Sequence, residues 1–246
     1  MIRVVEKRPE KLDGFTLIEG FPGLGLVGTI AVRYLIDKLK FEPYAYIESS
    51  FFLPIVRVHD GIPVHPSTIY IDRERKLLAL ISEQIIPQAA VLPLAKAVVE
   101  WASKKGIKRI ISIEGIGTHS EEKSTAIYGI ACSEKAKKEL LKYNIKPVGD
   151  GITSGVTSMI LLELSRQNKI IGYSLLGNVK IAEDYKAAAS CLDKLSQILK
   201  LNIDTKPLLK EAKKFEQALL KHLKELKEAH ENVRKFEESA HPLMYT

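Results

Sequence analysis

FTLIEGFPGLGLVGTIAVRYLIDKL, residues 15–39, changes hydrophobic period across a cluster of glycines. Residues 15–21 form a short, nearly continuous apolar run, the pattern of a strand buried on both faces. From Gly25 onward the apolar residues fall at helical spacing, with Leu26, Ile30, Leu35 and Leu39 among them, and predict a helix ending near Leu39. A strand that passes through glycines directly into a helix is the first half of a β-α-β unit. The fold class depends on whether that alternation continues.

It does, with one interruption. Residues 45–51 read as a second strand. Between residues 53 and 80 the apolar residues alternate or run short, with turn signals at Asp60-Gly61 and around residues 73–75, and strands joined by hairpins are expected there. A helix over residues 88–105 carries Trp101. KRIISIEGIG gives another central strand ending in glycines. A strand end and a helix begun by Ser133 follow, then a turn and helix within residues 150–168, a buried strand over 170–179, and a helix over 180–201. Strands alternating with helices predict an α/β fold: a three-layer α/β/α sandwich whose sheet is mixed but largely parallel.

The end of the chain differs. Beyond IDTKP, with Pro207 suited to a first helical turn, residues 204–240 read as one long helix. Leu208, Ala212, Phe215, Leu219, His222, Leu226, Ala229, Val233, Phe236 and Ala240 step alternately by four and three, a heptad seam. Such a helix either self-associates or packs on its own domain. His222, the polar member of the seam, either tunes register or sits half exposed. The expected organisation is an α/β domain over 1–203, the long helix over 204–240 and a tail over 241–246.

Composition narrows the function classes. Lys and Arg exceed Asp and Glu by 37 to 30, a net charge of +7, but the two signs are interleaved and no basic stripe carries aromatics, so no nucleic-acid partner is expected. Cys132 and Cys191 lie far apart with no zinc spacing, which reads as two lone thiols in a reducing compartment and no metal site. The opening MIRVVEKRPE lacks signal-peptide character, and no apolar run is long enough to span a bilayer, so a cytoplasmic protein without membrane partners is expected. Abundant Lys, Ile and Glu beside few Cys, Met and Gln suit a thermophile.

GFPGLGLVG also contains Gly23-x-Gly25-x-x-Gly28, with Glu48 closing the next strand. In a dinucleotide-binding fold these glycines let the backbone approach a pyrophosphate at a helix N-terminus, and the acidic residue holds a ribose. Pro22, the hairpins after Glu48 and the lack of hydride-transfer partners count against that reading. The plainer one is a tight strand-to-helix turn with close packing. Two further glycine loops, EGIGTHSEE and GDGITSGVTS, follow other strands. At the carboxyl edge of the sheet they would gather Glu114, His119 and Asp150 as an acid/base set. No spacing is specific to catalysis; no catalytic residue and no cofactor is assigned, and a nucleotide- or small-ligand site at Gly23, Gly25 and Gly28 is the alternative function.

Pro22, Gly23, Gly25, Val27, Gly28 and Ala31 resemble the PGxGxVGxxA-like signature of the proteasome assembly chaperone family, the archaeal and eukaryotic relatives of the second assembly chaperone. IEGIGT and the segment over residues 151–162 recur in the family's order. The resemblance implies a fold similar to nucleoside phosphorylases without their activity. It also implies a homo-oligomer, with co-assembly of a paralogue left open, and binding to the α-subunits of the proteasome core particle as assembly factor or ATP-independent activator. In that setting Met244, Tyr245 and Thr246 match the hydrophobic–tyrosine–any-residue motif of activator C-termini. A terminal carboxylate can pair with a lysine, the Tyr245 ring fills a cleft at low entropic cost, and Met244 adapts to an irregular apolar wall. Pro242 stops the helix and keeps the end extended, with Leu243 as spacer. The plainer alternative packs Met244 and Tyr245 on the chain's own body.

Overall fold

A computed structural model of the chain describes residues 1–117, 126–167, 169–179, 184–210, 221, 224–225, 227–228 and 231. Strand β1 (Ile2–Glu6) precedes β2 (Thr16–Gly20), the strand expected from the apolar run. A single 3-10 turn at Leu24–Leu26 then leads into α1 (Val27–Leu39). Next come β3 (Glu42–Ser49), β4 (Arg57–His59), β5 (Ile62–Val64), β6 (Ser67–Asp72), β7 (Leu77–Ser82), α2 (Gln88–Lys104) and β8 (Arg109–Ile116). The order ends with β9 (Ile127–Ala131), α3 (Glu134–Lys142), β10 (Lys146–Pro147), α4 (Val156–Gln167), β11 (Ile171–Asn178) and α5 (Tyr185–Leu199).

Local chemistry sets these boundaries. Asp60 and Gly61 have φ of 48° and 75°, the left-handed pair that a tight hairpin turn needs, and they join β4 to β5. The Ala136 amide donates to Ser133 Oγ at 3.3 Å and starts α3 as the sequence predicts. Asp184 caps α5 in the same way, accepting from the Ala187 amide at 2.9 Å. Lys200, left-handed at φ 55°, closes α5.

The main sheet has nine strands in the order β1-β3-β6-β7-β2-β8-β11-β9-β10. Its centre, β7-β2-β8-β11, is parallel, while β6, β3 and β1 are added antiparallel on one side and β9 on the other. The mixed sheet expected from the hairpins is therefore present, with α2 crossing over within the parallel centre and α3 joining the parallel edge pair β9 and β10. Ile18, Ile111 and Leu175 face α1 and α5 in one apolar layer, and Leu17, Ile110 and Leu78 face the layer containing α2 and α4. These layers make the α/β/α sandwich. Strand β1 is absent from the sequence reading. It is an outer strand of mostly half-exposed residues, paired only with β3, and it leaves little hydrophobic signal.

Residues 206–210 begin a further helix, with Pro207 in its first turn. The base of that helix is tied down. Leu208 is fully buried in the α1–α5 layer, Tyr34 Oη donates to the Asp204 carbonyl at 2.6 Å, and Thr205 Oγ1 donates to Asp193 at 2.8 Å. Lys221 and Glu225, and Lys224 and Glu228, are exposed helical pairs four residues apart. The remaining expected seam residues, from Ala212 to Ala240 and including His222, and the tail residues Met244, Tyr245 and Thr246 lie outside the described residues. Among the described residues no helix is long and apolar enough to cross a membrane. Cys191 is buried and Cys132 half-buried, and both are free thiols.

Candidate functional site at the carboxyl edge of the sheet

Strands β2 and β8 run parallel and adjacent, with Glu19 opposite Ser112, so their carboxyl ends deliver the first two glycine loops to one place. The glycines there are needed because chain meets chain. A β-carbon on Gly28 would overlap the Ile113 carbonyl oxygen of β8. One on Gly20 would overlap the Gly28 carbonyl, and one on Gly115 the Leu24 carbonyl. Gly25 adopts φ 63°, and a β-carbon there would lie 2.7 Å from the Val179 side chain. The Gly25 carbonyl accepts from the Asp184 amide at 3.1 Å, which binds the loop to the start of α5. In the loop that resembles a phosphate cradle, Gly25 and Gly28 thus stand against Val179 and β8.

Glu48 does not complete a dinucleotide fingerprint, and this corrects the spacing argument. It lies on β3, separated from β2 by β6 and β7, and its carboxylate pairs with Arg3 at 2.8 Å. The hairpin insertion puts antiparallel strands where a nucleotide-binding fold places its next parallel strand. Asp150 is exposed on the loop before α4, and His119 lies outside the described residues. Of the expected acid/base set, Glu114 is half-buried against Gly23, where a β-carbon would sit 3.2 Å from Glu114 Oε1.

Its neighbour is a residue that the sequence reading missed. Glu19 is the penultimate residue of β2 and has no exposed surface. Thr157 Oγ1, from α4, donates to Glu19 Oε1 at 3.1 Å. Burial pushes the Glu19 carboxyl up to about 8, opposed by the nearby Ser112 hydroxyl, reinforced by the charge of Glu114 and opposed again by the Thr157 hydrogen bond. Burial alone lifts Glu114 to about 7. At neutral pH Glu19 therefore keeps its proton. The pair can store protons, and the Thr157 bond ties β2 to α4, but Glu19 is enclosed beyond the reach of a substrate. The sequence signal was a lone charge inside an otherwise apolar strand run. Among the described residues no cluster of three or more His, Cys, Asp or Glu side chains could hold a metal ion.

Residues 17–223 match the PAC2 family. The chain belongs to that family. Relatives of this PAC2 chain include the uncharacterized protein MJ0106 of Methanocaldococcus jannaschii, 31% identical over 230 residues, which span 93% of this chain and 92% of that protein. Pyrococcus furiosus PbaA, described as an archaeal homolog of proteasome-assembly chaperone, superposes with a TM-score of 0.83 at 30% identity, over 94% of this chain and all of PbaA. Pyrococcus furiosus PbaB, described as an archaeal proteasome activator, has the same fold, with a TM-score of 0.72 at 23% identity over 89% of this chain and 98% of PbaB. In this PAC2 chain the signature glycines Gly25 and Gly28 are the ones that pack against Val179 and β8, so the signature here records a packing requirement of the fold.

Proposed function

We propose that this PAC2 protein is a non-enzymatic proteasome-binding protein, an assembly-chaperone homologue or activator, whose Met244-Tyr245-Thr246 tail docks between α-subunits of the core particle. Kinship with PbaA along nearly the whole chain carries the reading, and the chemistry of the last residues supplies the contact. In this scheme residues 1–203 form the body, 204–240 an extended helix and 241–246 the docking segment. Leu208 and the Tyr34–Asp204 contact fix the base of the helix to the body. A single tail binds weakly. A homo-oligomer presents several at once, and effective concentration multiplies affinity by about 10²–10⁴ where the spacings agree.

The test is a pull-down of purified core particle by the intact chain and by one lacking residues 244–246. Core-particle retention should fall about 100-fold or more on deletion, with the mass of the assembly and the melting temperature unchanged. Replacing Tyr245 by Ala should reproduce most of the loss. Retention equal to that of the intact chain would refute tail docking. Peptide hydrolysis by the core particle, measured in parallel, separates the two roles: an activator raises it through the tail, and an assembly factor binds without raising it.

A further inference from the structure

Helix α1 packs on β2, β7 and β8, and α5 on β11 and β9. On the same face of the sheet, the outer strands β6 and β3 lie beside a cavity of about 930 Å³ bounded by α1 and by the β4–β5 hairpin. That is within the size range of small-molecule sites. Its floor is aromatic. Tyr46 of β3 stacks on His65 with ring centroids 3.6 Å apart and planes 9° from parallel, and Tyr70 of β6 lies under the Arg33 guanidinium at 5.8 Å.

Its wall is cationic. Glu83 is held by both arginines, Arg33 Nη2 at one oxygen and Arg57 Nη1 at the other, the latter at 3.0 Å. Lys7 and Lys40 also line the cavity, and only Asp37 joins Glu83 on the acidic side, leaving two positive charges uncompensated. Arg57 makes this one ion pair among the described residues and keeps its other N–H groups. Thr29 Oγ1, fully buried on α1, lines the same cavity with no hydrogen-bond partner among the described residues. Burial lowers the His65 pKa, so at neutral pH its ring is an uncharged extension of the aromatic floor.

We propose that this cavity binds a small organic anion with a flat apolar body, its ring against the Tyr46–His65 platform and its carboxylate or phosphate on Arg57 and the lysines. Guanidinium forks suit such oxyanions, and flat rings suit such a floor. The residues that line the cavity all lie between Lys7 and Glu83 in the sequence, so failure of tail docking leaves the proposal standing.

Calorimetric titration of the full chain at low salt tests it, with indole-3-acetate and phenyl phosphate as probes and tryptamine and inorganic phosphate as controls. At least one aromatic anion should bind at one site per chain, both controls should give no saturable heat, and Arg57→Gln should weaken binding about tenfold or more. Tyr46→Ala should weaken it too, with melting temperatures confirming that both variants fold. The proposal is overturned if neither anion binds at millimolar concentration, if tryptamine or bare phosphate binds equally well, or if Arg57→Gln changes nothing. It is also overturned if Arg57→Gln alters the sedimentation coefficient of the apo protein, which would give the cavity to a subunit contact.

Discussion

Gly28→Ala should cost this fold about 3 kcal/mol or more, although it adds one methyl group to a helix and improves helix propensity. The new carbon has to enter the space of the Ile113 carbonyl oxygen, and Gly20 Cα lies 3.1 Å from it on the other side. Both obstacles are backbone, so no rotamer change relieves the overlap. Helix α1 must move off β8, and the Val27, Ile30 and Ala31 packing on Ile113 and Ile18 goes with it. For a chain of this length the loss corresponds to a fall in melting temperature of roughly 6–12 °C. Gly149→Ala is the control. Nothing stands within 4 Å of a β-carbon there, and its stability should stay within about 0.5 kcal/mol of the parent. Equal melting of the parent and Gly28→Ala would mean that α1 and β8 are not in close contact in solution, and the glycine loop would again be open to a ligand.

The same residues show what a sequence can and cannot disclose. The Asp60-Gly61 hairpin and the Ser133 cap were legible because each is a local rule. The first supplies two left-handed residues in a row, the second an oxygen facing an unpaired amide. The central strands were legible because burial on both faces leaves an apolar run. Gly23-x-Gly25-x-x-Gly28 was ambiguous for a physical reason: a glycine is required whether the approaching group is a pyrophosphate or a neighbouring strand. Only the β2–β8 register, a contact between residues almost a hundred apart in sequence, decides which it is. Glu48 was misleading because its distance along the chain mimics a βαβ unit, whereas the antiparallel hairpin moves it three strands from β2. Glu19 carried a visible sign, a charge where only apolar side chains fit, but its partner Thr157 and its neighbour Ser112 come from α4 and β8 and cannot be assigned by spacing.

Glu19→Gln should stabilise the protein and remove much of its weakness toward alkali. A carboxyl with a folded pKa near 8 and an ordinary value of 4.5 binds its proton more tightly in the fold than in the unfolded chain. Its contribution is therefore fully present below about pH 4.5 and is lost progressively as the pH rises toward 8, beyond which the loss is complete. At one pKa unit per 1.36 kcal/mol, the unfolded chain gains about 3 kcal/mol from ionising this group at pH 7. Glutamine matches the shape of the protonated acid, keeps a carbonyl oxygen for Thr157 Oγ1 and offers N–H groups toward Ser112, but does not ionise on unfolding. The gain of the variant should thus be under about 1 kcal/mol at pH 5, about 3 kcal/mol at pH 7 and largest near pH 9. Glu114, raised to about 7, supplies a second contribution that is smaller in total and ends at lower pH, so the variant retains some pH dependence between pH 5 and 7 and loses that part above it. Urea midpoints of the parent and the variant at pH 5, 7 and 9 give the comparison. Parallel pH profiles would mean that Glu19 ionises in the native state as readily as in water, which a side chain with no exposed surface and a single hydroxyl donor from α4 cannot do.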